Sequence, residues 1–380
     1  MYVKRNIEAN IERYLFKGKA LIIYGARQVG KTTLVKKIIA SSPQITSRYI
    51  NCDEPDELKQ LIEAQSSTQL KDVIGDTQLV VIDEAQRVTN IGLKLKLLVD
   101  TFPRQQIIAT GSSSFELANK ISEPMTGRTW EFWLYPFSVN ELGDTWTQLE
   151  INRRLEPLLL YGSYPQVIET ALVDEKKAVL QSISNNYLYK DILEFGKVKN
   201  SEVVRKLLEA LALQVGQEVS YTELARLVDL NKETVAAYIR LLEQSFIIFR
   251  LRPLSRNLRK EISKLRKIYF YDCGIRNALI NNLNQLSLRN DIGALWENFI
   301  ISEKKKQENF IGNTKSYYFW RTWDQQEIDL VEDVGGILKG FEIKWQRARK
   351  SAPKAWHETY PNSTWEVVTR DNLQQFLKQF

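Results

Sequence analysis

Short apolar runs alternate with helically spaced stretches over the first third of the chain. Residues 21–24, 48–51, 79–82, 106–109 and 130–134 have the length and the β-branched or aromatic content of strands. The stretches between them carry apolar residues at helical spacing, an alternation that predicts a parallel sheet covered on both faces. Ahead of the first strand, residues 6–16 read as an amphipathic helix with Ile7, Ile11, Tyr14 and Leu15 on one side. From Asp144 to about Lys199 the pattern is helical, in stretches 153–161 and 176–193 parted by the turn at Gly162-Ser163-Tyr164-Pro165. Three more amphipathic stretches follow, at 202–215, from Ser220 onward, and at 232–244, before residues 246–251 alternate as a strand. Ser220 with Glu223 three residues on is a capping box. Helix, short turn, helix and strand predict a winged-helix-like arrangement.

The first strand runs into Gly25, Ala26, Arg27, Gln28, Val29, Gly30, Lys31, Thr32 and Thr33. A strand, a glycine-bounded loop ending in Lys-Thr and a helix form a phosphate-cradling P-loop. The two glycines let successive N–H groups point at phosphate oxygens, and the helix N-terminus adds its dipole. Lys31 reaches the β- and γ-phosphates, and the Thr32 hydroxyl holds Mg²⁺.

A buried-strand run at 79–82 ends in Asp83-Glu84. Ligands of open α/β sheets bind at the carboxyl ends of strands. That position gives Asp83 the Mg²⁺ shell and Glu84 the orienting or deprotonating of the attacking water; the competing reading is an ordinary capped helix start. At the end of the fourth strand, Thr110 and Ser112 either sense the γ-phosphate or cap the next helix. Arg128, after Gly127, is either an arginine finger for a neighbouring subunit's nucleotide or a surface residue.

Gly25-Ala-Arg-Gln-Val-Gly-Lys-Thr-Thr-Leu34, Val80-Val-Ile-Asp-Glu-Ala-Gln86, Ala109-Thr-Gly-Ser-Ser113, and Gly127-Arg-Thr129 followed by Leu134-Tyr-Pro-Phe-Ser138 resemble a family of prokaryotic AAA-type ATPases. Those proteins carry a C-terminal domain of unassigned function. The resemblance extends through Tyr161-Gly-Ser-Tyr-Pro165 into the last third. It implies ATP binding and an AAA fold and leaves the substrate open.

Composition narrows the chemistry further. One histidine, His357, and two distant cysteines, Cys52 and Cys273, argue against a structural zinc site and a His-based triad. Reduced thiols of a cytoplasmic protein are the simplest account of the cysteines. No apolar run approaches a membrane span, so no membrane partner is expected. The net charge of +7 permits a polyanionic partner such as DNA. Its densest stretch is 250–267, where eight basic residues face one acid, Glu261. In the third helix of the winged-helix-like segment, outward Lys232, Thr234 and Arg240 are accompanied by Glu233, which leaves DNA contact and protein contact equally open.

The last informative pattern is a hairpin. With Gly335-Gly336 as a two-residue turn, Val334 pairs with Ile337 and Asp329 falls opposite Glu342. Facing like charges are destabilising unless a cation lies between them. Lys344 shares the face, and Glu297, on a helix whose neighbouring positions are small or apolar, is expected to point inward. Glu on a helix, Asp on one strand and Glu-x-Lys on the next resemble the PD-(D/E)XK nuclease core. That likeness implies a Mg²⁺ site at Glu297, Asp329 and Glu342 with Lys344 as a second catalytic group; a non-catalytic scaffold is the alternative.

The expected architecture is α/β: a parallel-sheet AAA-type P-loop ATPase domain (1–143), a helical lid (144–199), a winged-helix-like domain with the basic segment (200–267), and a nuclease-like α/β domain (268–380). Two functions fit it: an ATP-driven, Mg²⁺-dependent protein acting on DNA, with possible nucleotide-dependent homo-oligomers, or a regulatory ATPase switch whose C-terminal part binds partners. A small-molecule kinase is disfavoured by Glu84 after Asp83 and by the large appended segments.

Overall fold

The computed structural model describes residues 2–111, 121, 124–188, 201–254, 266–308, 315–346 and 351–378. Ser112 and most of the basic run 250–267 lie outside them. Contacts divide the chain into two units, Met1–Phe137 with Gln244–Phe246, and Ser138–Glu243 with Ile247–Phe380.

In the first unit, β1 (Ala20–Gly25), β2 (Ser47–Asn51), β3 (Leu79–Asp83), β4 (Gln106–Gly111) and β5 (Thr129–Leu134) form one sheet in the order β2-β3-β4-β1-β5. All its pairings are parallel, as the alternation predicts. Every residue of β1, β3 and β4 is buried, whereas the edge strands β2 and β5 are buried only in part. Helices α1 (Glu8–Tyr14), α2 (Lys31–Ala40), α3 (Pro55–Glu63), α4 (Ser67–Ile74) and α5 (Ile91–Thr101) complete the unit. Gly25 pairs with Leu134, Tyr24 with Gly111 and Asn51 with Asp83, so the carboxyl ends of all five strands finish level.

The second unit opens with α6 (Val139–Gly143) and α7 (Gln148–Tyr161), each started by a full capping box, Ser138/Glu141 and Thr147/Glu150. Helices α8 (Pro165–Glu169), α9 (Val173–Ser182), α10 (Ser201–Leu213), α11 (Tyr221–Leu227) and α12 (Lys232–Gln244) follow. Strands β6 (Glu218–Val219), β7 (Ile248–Pro253), β8 (Arg266–Phe270), β9 (Lys315–Arg321), β10 (Glu327–Val334), β11 (Ile337–Ile343) and β12 (Thr364–Val368) make a single sheet, ordered β12-β11-β10-β9-β7-β8-β6. Helices α13 (Cys273–Leu279), α14 (Ile292–Gln307), α15 (Lys354–Thr359) and α16 (Leu373–Leu377) accompany it.

By contacts the first unit closes at Phe137, and Ser138 begins the capped helix α6 of the second unit. The break at 267/268 lies inside β8, whose partner β7 also pairs with β9 in parallel, so one sheet runs through the supposed boundary. The hairpin register is the expected one, Val334 opposite Ile337 and Leu330 opposite Phe341.

Buried charge marks the second unit. On α14, Glu303 accepts from the Val139 N–H (2.6 Å) and pairs with Lys306 (2.8 Å). Lys304 is buried against Phe376, 3.9 Å from the ring centroid, with the Glu332 carboxylate at 3.8 Å. Burial outweighs Glu332 and pulls its ammonium down to about 7. Between pH 7 and the ordinary lysine value the unfolded chain therefore binds more protons than the folded one, so stability rises with pH across that window and levels off below it. Lys304→Met should flatten this dependence and stabilise the fold at pH 7 by about 1–4 kcal/mol, because Glu332 keeps Lys315. Denaturant unfolding of both proteins at pH 7 and pH 10 checks it.

Candidate nucleotide site

The loop between β1 and α2 is shaped by two glycines for different reasons. Gly30 has φ +100°, a left-handed conformation that side chains resist. At Gly25 the constraint is space: a Cβ there would lie 2.3 Å from the Leu134 carbonyl oxygen of β5. Lys31, at the start of α2, is buried and donates to the carbonyls of Gly25 and Ala26, both at 3.0 Å. Its ammonium stands 4.0 Å from Glu84 Oε1.

Asp83, at the end of β3, is buried and accepts three hydroxyl donors. Thr32 donates to Oδ2 (2.7 Å), Tyr49 to the same oxygen (2.6 Å), and Thr110 to Oδ1. The Thr110 hydroxyl also accepts from the Glu84 N–H (3.1 Å). Glu84 stands in a left-handed conformation, φ +54°, and its Oε2 accepts from Gln86 Nε2 at 2.6 Å. Burial and the adjoining Asp83 carboxylate push the Tyr49 phenol above its ordinary range, which keeps it a donor. Burial, with Asp83 beside it, also pushes the Cys52 thiol up to about 12, so Cys52 is no nucleophile here.

Lys31, Thr32, Asp83, Glu84 and Thr110 are thus brought together; Gly25, Ala26, Val29 and Gly30 shape the loop around Lys31, while Arg27, Gln28 and Thr33 belong to the same loop and helix start. The donor set of Thr32 and Asp83 is all oxygen, which suits a hard cation such as Mg²⁺. Arg128 is elsewhere: it precedes Thr129, the partner of Ala20, and so lies at the opposite end of β5 from Gly25. There its Nε donates to Asp100 at 2.7 Å. It cannot serve the P-loop of its own chain.

Three contributors escaped the sequence reading. Tyr49 is marked only by its place on β2, two residues before Asn51, the partner of Asp83. Gln86 follows Glu84 by two and had no assigned role. Arg5 carries no local signal at all. Its guanidinium is buried, donates to the carbonyls of Val29 (2.8 Å) and Tyr135 (2.5 Å), and lies 4.6 Å from the Phe137 ring centroid. It ties the chain start, the P-loop and the exit of β5 together.

The C-terminal acids are arranged differently from the expected metal site. Asp329 Oδ2 accepts from the Ile343 N–H (2.7 Å) and from Lys344 Nζ (3.2 Å), and Lys344 also pairs with Glu342 (2.9 Å). Asp329 and Glu342 therefore do converge on one cation, the lysine's own ammonium. Glu297 turns to Tyr269 (2.6 Å) and to buried Lys267 (3.2 Å), which also pairs with Glu327. Burial raises the Glu297 carboxyl to about 7, with Lys267 opposing and Asp329 adding to the rise. Among the described residues no three His, Cys, Asp or Glu side chains are disposed to hold one metal ion. In this structure Lys267 and Lys344 supply the positive charge among Glu297, Asp329 and Glu342.

Gly25→Ala should destabilise the first unit by about 1–3 kcal/mol, since the obstacle is backbone with no rotamer to yield. Thermal melting of the variant checks it, and an unchanged midpoint would contradict the close approach.

Comparison with known proteins places these features. Residues 17–143 match the profile of an AAA domain, residues 152–286 that of a domain of unknown function (DUF8612), and residues 292–378 that of another (DUF4143). An uncharacterized protein of Mycobacterium tuberculosis is 28% identical, covering 90% of this chain and 74% of that protein. One of Methanocaldococcus jannaschii is 26% identical, covering 98% and 89%. Among solved structures, the Walker-type ATPase of Pyrococcus abyssi is similar in fold at a TM-score of 0.51 and 16% identity, covering 73% of this chain and 96% of that one. With its parallel sheet and its P-loop, the first unit has an α/β P-loop fold, and its sequence from 17 to 143 matches the AAA domain profile.

Proposed function

We propose that the chain binds ATP together with Mg²⁺ and hydrolyses it. The observation that supports this most is the hydrogen-bonded convergence of Thr32, Asp83, Thr110 and Glu84 beside Lys31. Lys31 exchanges its loop carbonyls for phosphate oxygens, and Thr32 with Asp83 would hold the cation, whose charge neutralises the phosphates. Glu84 takes the proton of the attacking water, and Gln86 fixes the carboxylate's orientation for that step. Arg128 acts on a neighbouring subunit only if its pair with Asp100 is broken.

What the nucleotide state controls is read from the second unit. Its two ends of the basic run are engaged within the protein, Arg250 with Glu243 (2.5 Å) and Lys267 among acids. Together with the lysine-filled acidic cluster, this favours the regulatory switch over a nuclease. DNA binding would then rest on the remainder of the run. A Mg²⁺-dependent cleavage assay with single- and double-stranded DNA should show no activity attributable to Asp329, so Asp329→Asn leaves any cleavage unchanged; loss of cleavage in that variant would restore the nuclease reading.

Lys31→Ala should weaken ATP binding roughly 10- to 150-fold, the worth of a charge-assisted contact to phosphate. Gln86→Ala should lower kcat about tenfold or more while leaving ATP affinity alone, since misplacing a catalytic group costs rate and not ground-state binding. Calorimetric ATP titration and steady-state phosphate release on both variants check the pair.

A further inference from the structure

Between α7, α8 and α9 of the second unit lies a cleft of about 480 Å³, within the range of small-molecule sites. Most of it falls in the segment that matches a domain of unknown function. Trp146, Leu158, Ile168 and Val173 are among its apolar walls, and Arg154 and Lys176 line it too. The Arg154 guanidinium lies over the Trp146 ring, 4.3 Å from the centroid. Lys176 Nζ donates to the Val167 carbonyl at 2.8 Å, at the C-terminal end of α8. Among the described residues, no carboxylate forms an ion pair with either cation. Their charges are close enough to oppose each other: burial, and then Arg154, lowers the Lys176 ammonium below its usual range.

The apolar cleft is flanked by exposed Arg154, with Glu150 in electrostatic range, and half-buried Lys176, which together offer a place for an anion. A guanidinium fork matches a carboxylate, and the apolar walls call for a hydrocarbon body attached to it. Glu169, which also lines the cleft, disfavours a ligand with acid groups at both ends. We propose that this cleft binds a small amphipathic monocarboxylate, an aromatic or aliphatic body of roughly six to ten carbons, with its acid taken by Arg154 and Lys176. The site is independent of the nucleotide reading, and its test uses no ATP.

The test is calorimetric titration of the full chain with 4-phenylbutyrate and, in parallel, with its neutral amide. The acid should bind saturably at one site, and the amide at least about tenfold more weakly. Arg154→Met and Lys176→Met, which keep an apolar stem, should each weaken the acid by about tenfold. Ala171→Trp, at an exposed lining position, should abolish binding by filling the cleft. Because Lys176 caps α8, circular-dichroism melts accompany the variants, and Arg154→Met carries the test if Lys176→Met unfolds. Equal binding of acid and amide, unchanged affinity in a folded Arg154→Met, or no saturation at millimolar acid would each overturn the proposal.

Discussion

The nucleotide site depends on one buried carboxylate. Asp83 accepts from Thr32 of the P-loop helix, Tyr49 of β2 and Thr110 of β4, and so joins three neighbouring elements at the carboxyl end of β3. A buried carboxylate is tolerable only when its oxygens are satisfied, and here hydroxyls do this without a cation from the protein. The arrangement holds the Thr32 hydroxyl beside Asp83. Thr110 carries the same network to the Glu84 N–H, so Glu84 is positioned from the hub as well.

The two acidic clusters of the chain show opposite solutions to one electrostatic problem. At Asp83 the partners are neutral hydroxyls, which leaves a net negative charge for a cation to meet. At Glu297, Glu327, Asp329 and Glu342 the partners are the charged Lys267 and Lys344, each shared between two of the four carboxylates. The second arrangement ties β8, β10, β11 and α14 together through its lysines.

How much of this was legible follows from sequence distance. The P-loop could be read because its strand, glycines and lysine are contiguous, and Asp83-Glu84 because a strand end is a local signal. The β10–β11 register was legible too, since Gly335-Gly336 admits only a tight turn. Lys267 belongs in sequence to the basic run 250–267, yet it is buried, and its partner Glu297 lies 30 residues away. Arg5 reaches Tyr135, and β7 reaches β9, across gaps that no local pattern spans. The same limit hid the merging of the last two expected domains into one sheet.

The central claim is that Glu84, held by this network, is the base for ATP hydrolysis. It is tested most directly by single-turnover release of phosphate from pre-bound ATP in Glu84→Gln. The account predicts a rate lower by about 10²- to 10⁴-fold, the usual worth of a positioned base, with ATP affinity within about threefold of wild type. Release at the wild-type rate would contradict it.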